Sequence, residues 1–427
     1  MAEVVLRGGT VVDRDGSRRA DVLVRGRTVA AVGENLAVPA RARVLDAAGC
    51  VVAPGLVDLH VHLRQPGREE AETVETGARA AALGGFTAVV AMPNTEPAID
   101  SAAVVRQVLD LGATALCHVA VAGAITVGRE GTQLAPLAEM ADLGVRLFTD
   151  DGAGVQDARL MRRALEYASA LDVTLAQHCE DAALAAGGHM HEGAWSSRLG
   201  IPGIPAEAEE LMVMRDIALA RLTGARVHFL HLSTAGSVAM VAAAKAQGLP
   251  VTAEVAPHHF TLTDAEVQGF DTVFKVNPPL RTAADVAAVR QALRDGAVDA
   301  IATDHAPHTQ DVKEAPFDQA PPGMLGLETA LALALTELEL PVEQVLALLS
   351  WQPARIAGLA PEHGGPIAEG AAANLCVIDP AATWVVEPER LASRSRNTPY
   401  AGRKLTGKVR HTVLRGEPVV IDGEAQR

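Results

Sequence analysis

The chain has 427 residues, of which 49% are hydrophobic, so it can bury a large core and is not an intrinsically disordered protein. Its formal net charge is -15 and it has no basic runs, which excludes the electrostatic signature of nucleic-acid binding. The four cysteines are scattered without C-x-x-C spacing, a usage typical of a reducing compartment. Without a signal-peptide pattern or a run of about 18 apolar residues, we expect a cytoplasmic protein with no membrane partner.

Both ends of the chain carry short β-like runs. Residues 1–54 contain "EVVLRGGTVV", "ADVLVRGRTVAAVG" and "ARVLDAAGCVVAPG", which are broken by glycine and aspartate and include no convincing helix. Residues 361–427 contain the similar runs "ANLCVIDP", "KVRHTVLRG" and "EPVVID". We expect the two ends to meet in one small β-sandwich domain, and two separate flaps are the alternative.

Residues 55–360 alternate strand-like runs with helical stretches rich in alanine and leucine. The strand-like runs are "GLVDLHVHL", "GFTAVVAMPN", "TALCHVAVAG", "GVRLFTDDG", "DVTLAQHCE", "ARVHFLHLS", "PVTAEVAPHH" and "VDAIATDHAPH". Eight such units predict an α/β fold, a (β/α)8 TIM-like barrel whose active site lies at the C-terminal ends of its strands. An open doubly wound sheet is disfavoured, because no glycine-rich dinucleotide fingerprint follows the first strand.

Ligand-type side chains cluster at the predicted strand ends. The segment "DLHVHLRQPG" sets His60, His62 and Arg64 at alternate positions, which share one face of a strand. Later strand-like runs end in further candidates: Asp150 with Asp151, His178, His231 and Asp304. Singly, each histidine could be a hydrogen-bonded core residue and each acid a helix cap. Together they exceed the ligand needs of one tetrahedral ion, which favours a two-metal site.

These stretches, together with "AMPNTEP", "HLSTA", "FKVNPPLR" and "APPGMLGLET", resemble the amidohydrolase superfamily and, within it, the bacterial type I dihydroorotases. The resemblance covers the barrel and reaches the flanks through "SRSRNTPYAGRKLTGKV". It implies reversible cyclisation of N-carbamoyl-L-aspartate to L-dihydroorotate in pyrimidine synthesis, with two Zn²⁺ per chain. Besides the small-molecule substrate, the partners it suggests are a second copy of the chain in a homodimer, or aspartate transcarbamoylase.

The resemblance also implies roles for individual residues. It divides the metal ligands into His60, His62 and Asp304 on one ion, His178 and His231 on the other, and Asp151 as the bridge. Many relatives bridge with a carboxylated lysine, but the fourth strand here offers only the "DD" pair, which by itself does not decide between the two acids. A hydroxide between the ions would be the nucleophile, and Asp304 the general acid/base.

Substrate contacts are implied as well, by Arg64, Asn94, Asn277, His308, Pro322 and Gly323. The planar fork of Arg64 suits the free carboxylate of the substrate, and a rim ion pair is the alternative for this residue. For the two asparagines, the alternative is turn formation beside proline. Segment 309–322, which is polar and proline-rich, is expected to form a loop that covers the substrate.

Three further polar residues have less defined expected roles. Asp58 would support the ligands from deeper in the barrel or be a buried acid with a local partner. Of the adjacent His258 and His259, at most one should point inward, because neighbouring residues of a strand face opposite ways.

Two rival functions stay open. A hydantoinase or allantoinase would hydrolyse a related ring, and the absence of a bridging lysine together with Arg64 and "NPPLR" argues against it. A scaffold subunit that chiefly binds aspartate transcarbamoylase would typically have lost metal ligands, whereas all six are present. Activity of the isolated protein with added zinc separates these functions.

Overall fold

The computed structural model describes residues 3–427, so residues 1 and 2 of the predicted small domain lie outside the described part. Short strands open the chain, where valine-rich runs are separated by turns at glycine and aspartate. They are β1 (Glu3–Arg7), β2 (Thr10–Asp13), β3 (Gly16–Arg19), β4 (Asp21–Arg25), β5 (Thr28–Gly33), β6 (Arg43–Asp46) and β7 (Val51–Pro54).

The middle of the chain forms the barrel, and each of the eight strand-like runs contains one of its strands. The barrel strands are β8 (Leu56–Val61), β9 (Phe86–Ala91), β10 (His118–Val121), β11 (Leu147–Phe148), β12 (Thr174–Gln177), β15 (Val227–Phe229), β16 (Val251–Val255) and β17 (Ala300–Ile301). Between β12 and β15, β13 (Met190–His191) and β14 (Gly203–Ile204) form a separate small parallel pair. The β13–β14 pair is an insertion between two barrel strands that the sequence pattern did not predict.

All barrel pairings are parallel, and two contacts close the ring. The strands pair as β10-β9-β8 and as β11-β12-β15-β16-β17. A parallel bridge from Gly123 to Phe148 joins β10 to β11, and another from Val61 to His305 joins β8 to the segment after β17. The His62 N–H donates to the His305 carbonyl at 2.9 Å across this second joint. The predicted barrel is therefore confirmed, and its strand ends form one circular rim.

Helices lie outside the barrel, in the segments that connect its strands and across one of its ends. They are α1 (Val74–Leu83), α2 (Ala102–Gly112), α3 (Leu137–Ala141), α4 (Ala158–Leu171), α5 (Ala182–Ala185), α6 (Ala194–Leu199), α7 (Glu207–Thr223), α8 (Ala235–Ala246), α9 (Pro257–Thr261), α10 (Ala283–Arg294), α11 (Gln310–Lys313), α12 (Ala330–Glu337), α13 (Val342–Leu346) and α14 (Gln352–Ile356). Side-chain caps set several starts: Thr73 and Thr282 form capping boxes, and Asp157 accepts from the Leu160 N–H at 2.6 Å. Within residues 3–427, no helix has the length and apolar character needed to cross a bilayer.

Four strands end the chain: β18 (Leu375–Val385), β19 (Lys404–Leu414), β20 (Glu417–Ile421) and β21 (Glu424–Ala425). They join N-terminal strands in a seven-stranded sheet ordered β21-β20-β19-β18-β7-β2-β3, while β5-β4-β1-β6 form a second sheet. Apolar residues of both sheets form one cluster that includes Val4, Leu6, Val22, Val52, Leu375, Val377 and Val413. The predicted fold class, with a β-sandwich built from both chain ends, is confirmed, whereas the exact boundaries 1–54, 55–360 and 361–427 stay predictions.

Candidate active site

One carboxylate lies at the centre of the rim. Asp151 follows β11, and four imidazoles surround its two oxygens: Oδ1 lies 3.4 Å from His60 Nε2, 3.5 Å from His178 Nδ1 and 3.4 Å from His231 Nε2, and Oδ2 lies 3.6 Å from His62 Nε2. All five side chains are buried. Burial alone would raise the pKa of Asp151, but the imidazoles hold it well below its usual range, so the carboxylate is ionised.

The neighbouring acid, Asp150, has a different role. Its carboxylate accepts from the backbone N–H groups of Ile125, at 2.8 Å, and Thr126, at 3.0 Å, and from the Thr126 hydroxyl. These bonds hold the loop after β10 and turn the Asp150 side chain away from the histidines. Of the two acids in the "DD" pair, Asp151 is therefore the one that lies among the histidines, and its role as the bridge stays a prediction.

Asp304 completes the cluster from the segment after β17. Its Oδ1 lies 3.1 Å from His62 Nε2 and 3.6 Å from His60 Nε2. Burial would raise the pKa of Asp304, but the hydrogen bond from His62 and the charge of His60 outweigh it and lower the pKa. The backbone of Asp304 is left-handed, with φ +48°, as is that of His231, with φ +31°. Such strain in non-glycine residues is typical of functional sites.

A buried acid that the sequence analysis missed orients His60. Glu254, in β16, accepts from His60 Nδ1 at 3.0 Å through Oε1 and from His228 Nε2 at 3.0 Å through Oε2. His228 Nδ1 in turn lies 2.8 Å from the Thr252 hydroxyl. Burial would raise the pKa of Glu254, but His228 and His60 lower it to about 2. The only sequence signal was one glutamate inside the otherwise apolar run "VTAEVA".

Asp58 lies deeper in the barrel and ties two strands together. Its Oδ1 accepts from the backbone N–H groups of His60, at 3.1 Å, and Thr303, at 3.0 Å. Complete burial raises its pKa to about 7. Asp58 therefore supports the ligands through the backbones of the first and eighth strands, and it does not touch an imidazole nitrogen.

Arg64 and His308 form a polar corner next to the ligand cluster. The Arg64 Nε donates to the Pro307 carbonyl at 3.0 Å, and its Nη2 lies 3.3 Å from His308 Nε2. His308 Nε2 lies 2.9 Å from the Pro322 carbonyl. Burial, reinforced by the charge of Arg64, lowers the pKa of His308 to about 3, so this imidazole is neutral.

Arg64 does not lie in the strand whose alternation was expected to direct its side chain. Strand β8 ends at Val61, three residues earlier, and Arg64 has a left-handed backbone with φ +59°. The guanidinium reaches the rim because the chain turns after the strand, and the alternation of a strand does not extend that far.

The other predicted contact residues also lie at this rim. Asn94, after β9, lies 2.8 Å from His62 Nδ1 through Oδ1 and donates to Asp151 Oδ2 at 3.4 Å. Asn277 Nδ2 lies 3.5 Å from His178 Nε2, and its Oδ1 is buried without a hydrogen-bond partner among residues 3–427. Gly323 has φ +142°, and a Cβ there would lie 2.8 Å from His308 Nε2, so only glycine fits beside that ring.

The loop over this corner is held by a buried lysine. Lys313, at the end of α11, donates through Nζ to the carbonyls of Pro321 at 3.0 Å and Gly323 at 3.2 Å. Burial, followed by the charge of Lys275, lowers its pKa to about 7. Coverage of the substrate by segment 309–322 stays a prediction.

His258 and His259 lie in a short helix and not in a strand. Both are buried in α9, so the alternation of a strand does not apply to them. His259 Nε2 lies 3.0 Å from the Pro278 carbonyl, whereas His258 Nε2 has no hydrogen-bond partner within the described chain.

The donor set fits divalent cations. Two groups converge, His60 with His62 and Asp151, and Asp151 with His178 and His231. His60 Nε2 is buried and, within residues 3–427, has no hydrogen-bond partner, although two carboxylates lie within 3.6 Å of it. Ionised carboxylates buried at one place are costly unless positive charge joins them, and imidazole and carboxylate are ligands of zinc-like ions.

Solved structures share this architecture over the whole chain. L-hydantoinase (dihydropyrimidinase) from Arthrobacter aurescens superposes with a TM-score of 0.89 at 25% identity, covering 100% of this chain and 98% of that one. D-hydantoinase (dihydropyrimidinase) from a Thermus species gives 0.85 at 25% identity, with 99% and 96% covered. The fold and the rim cluster thus define a hydrolase of cyclic amides of the amidohydrolase type.

Sequence relatives narrow the class. A family described as "Dihydro-orotase-like" matches residues 49–237. Proteins named dihydroorotase from Pelotomaculum thermopropionicum and Streptomyces coelicolor are each 50% identical to the chain, over 98% and 99% of its length and 99% and 100% of theirs. The chain belongs to the dihydroorotase family.

Proposed function

We propose that the chain is a dihydroorotase that interconverts N-carbamoyl-L-aspartate with L-dihydroorotate and water, using a pair of zinc ions at the barrel rim. The observation that carries the proposal is the position of Asp151, within 3.6 Å of four imidazoles from three other strands. In this proposal His60, His62 and Asp304 would hold one ion, His178 and His231 would hold the other, and Asp151 would contribute to both.

When bound, the metal pair supplies a water of lowered pKa as nucleophile and polarises the amide carbonyl. Asp304 takes the proton that the attacking water loses and returns it to the ring nitrogen as the C–N bond breaks. In the direction of ring closure, the same carboxylate removes a proton from the carbamoyl nitrogen. The neighbouring imidazoles keep the pKa of this carboxylate low, so it is ionised, as a proton acceptor must be.

Arg64 binds the substrate carboxylate. Its Nε is occupied by the Pro307 carbonyl, and this bond fixes the direction in which the remaining N–H groups point. Neutral His308, Asn94 and Asn277 add hydrogen-bonding groups around the same corner, and Pro322 with Gly323 forms its wall. In a chain of net charge -15, a local cation of this kind is required for an anionic substrate.

The experiment measures metal per chain and turnover of L-dihydroorotate for the wild type and Asp151→Asn, each purified with zinc. We expect two zinc ions in the wild type, and in the variant a loss of metal together with a loss of turnover of about 100-fold or more. Asp110→Asn is the matched control, since Asp110 is exposed on α2. Full metal content and turnover in Asp151→Asn would refute the proposed site.

The substrate and the partner are tested separately. Hydantoin and allantoin, offered at the same concentration, should be hydrolysed far more slowly than L-dihydroorotate. For the protein partner, the alternatives are a second copy of the chain and aspartate transcarbamoylase, and sedimentation with and without the transcarbamoylase separates them. A cytoplasmic location is supported by the four free, buried cysteines.

A further inference from the structure

The end of the barrel opposite the metal rim contains a cavity lined by arginines. It has a volume of about 480 Å³ and lies where β11, β12, β15 and β16 begin. Arg146 precedes β11, Arg226 precedes β15, and Arg355 comes from α14, which covers this end. Three arginines from distant parts of the chain therefore line one cavity.

Two of these arginines are held in place by the protein. Arg226 donates to Asp172 Oδ1 at 2.6 Å, to the Asp172 carbonyl at 2.5 Å and to Thr174 Oγ1 at 3.3 Å. Arg146 donates through Nη1 to the carbonyls of Ala141 at 2.8 Å and Val145 at 3.0 Å. Each of these arginines keeps N–H groups beyond the bonds described, because a guanidinium has five donors.

The third arginine has no such restraint. Arg355 is exposed on α14, and no side-chain hydrogen bond or ion pair to another described residue engages its guanidinium. Gly358, one turn later, has φ +68°, and a Cβ there would lie 3.0 Å from Arg146 Cγ. The absence of a side chain at Gly358 thus leaves room for Arg146 beside Arg355.

We propose that this cavity binds a phosphate-bearing anion. Arginine forks match the paired oxygens of phosphate. Three arginines line the cavity with a single acid, Asp172, which Arg226 neutralises, so Arg146 and Arg355 leave an excess of positive charge. The volume lies in the range of small-molecule sites and leaves space beyond one phosphate group. In a chain of net charge -15, a local excess of positive charge concentrates anions at this place.

The site is separate from the metal centre. The metal ligands follow the C-terminal ends of the strands, whereas Arg146, Thr174 and Arg226 stand at the N-terminal ends. Binding at the cavity therefore does not depend on the proposed function, and either can fail without the other.

The test is calorimetric titration of the zinc-loaded protein in phosphate-free buffer of low ionic strength. Inorganic phosphate, pyrophosphate, and a purine and a pyrimidine nucleoside monophosphate are the probes. We expect saturable binding of one probe per chain, weakened about tenfold or more by Arg355→Met. The control, Arg159→Met, changes an exposed arginine of α4 that lies outside the cavity and should bind as the wild type does.

The probes also separate the two sources of phosphate. Inorganic phosphate binding as tightly as the nucleotides indicates a site for the free ion, whereas tighter nucleotide binding indicates that the rest of the cavity holds the nucleoside. Arg355 is exposed, so its replacement leaves the fold intact, and unchanged turnover of L-dihydroorotate verifies this. No saturable binding of any probe, or equal affinity in Arg355→Met and Arg159→Met, would overturn the proposal.

Discussion

Two histidine pairs, one at each end of the barrel, have nearly the same separation and opposite surroundings. At the rim, His178 Nδ1 lies 3.0 Å from His231 Nε2, and at the N-terminal end His118 Nδ1 lies 2.9 Å from His363 Nε2. The rim pair faces the buried carboxylate of Asp151, 3.4 to 3.5 Å away.

The pair at the N-terminal end, His118 with His363 (the lower pair), has neutral hydrogen-bond partners. His363 Nδ1 bonds the Thr87 hydroxyl at 3.0 Å, and the nearby acid, Glu362, is 55% exposed and lies 3.7 Å from Arg415. Burial lowers the pKa of His363 to about 3, so the pair is neutral. A short distance between two imidazoles therefore does not by itself indicate a metal site, whereas an ionised, buried carboxylate beside them favours one.

The largest expected effect comes from removing one imidazole of each pair. His178→Ala should lose at least one metal ion per chain and lower turnover by about 100-fold or more, because the ligand is gone. His118→Ala should keep both ions and activity within about twofold, since the acid beside that pair, Glu362, is exposed and not buried between the imidazoles. Elemental analysis measures the metal content of both variants, and turnover of L-dihydroorotate measures their activity. Loss of metal in His118→Ala would show that the lower pair also binds metal.

Glu254→Gln tests the acid behind the rim. The amide keeps the shape but removes the charge that orients His60, so metal affinity should fall about 10- to 100-fold. Competition with a chelator measures it. Glu192→Gln, at an exposed position, is the control. Unchanged affinity in Glu254→Gln would mean that the hydrogen bond to His60 has no influence on the metal.

Arg64→Met tests the substrate corner. Loss of a charge-assisted contact should lower kcat/KM about 10- to 100-fold, mainly through KM, with metal content unchanged. Arg68→Met is the matched control, because Arg68 is 54% exposed and paired with Glu96. A fall in kcat at constant KM would contradict a binding role for Arg64.

The lowered pKa of Lys313 makes the free energy of unfolding depend on pH in a predictable direction. Its pKa is lowered to about 7 in the folded chain from an ordinary value of 10.5. Between these values the unfolded chain binds more protons, so the contribution of this residue to the free energy of unfolding rises with pH. The difference in thermal midpoint between the wild type and Lys313→Met should therefore increase from pH 7 to pH 10. A decrease would contradict a lowered pKa of Lys313 in the folded chain.

The smallest expected effect concerns the lower pair alone. Thr87→Val leaves His363 Nδ1 without its hydroxyl partner and should cost about 1 to 3 kcal/mol of stability. Metal content and turnover should not change. Urea unfolding measures the cost, and a loss of zinc in this variant would give the lower pair a role in metal binding.

Much of the rim was predictable from local pattern. Asp151, His178, His231 and Asp304 each follow a recognisable strand-like run, and parallel strands of a barrel bring such positions to one end. Hydrophobic periodicity is a local property, so the eight runs could be assigned without knowing their partners.

Other parts of the site were not predictable in this way. Glu254 acts through His60, which is 194 residues away in sequence, and this pair exists only because β16 and β8 belong to the same closed barrel. Arg64 reaches the rim through a left-handed turn that no alternation of side chains predicts. Asp58 could be called a buried acid, but its backbone partner Thr303 comes from the eighth strand.

The sequence by itself determined the barrel, the β character of both ends and the residue types that meet at the rim, because these follow from short-range patterns of apolar and polar residues. Only the tertiary structure showed which of Asp150 and Asp151 lies among the histidines, since the Ile125 and Thr126 backbone N–H groups bind the Asp150 carboxylate and hold it away from them. It alone also distinguished the two histidine pairs and assembled the arginine cavity. In each case the contacts join segments that are far apart in the sequence and meet only because the strands close into a barrel.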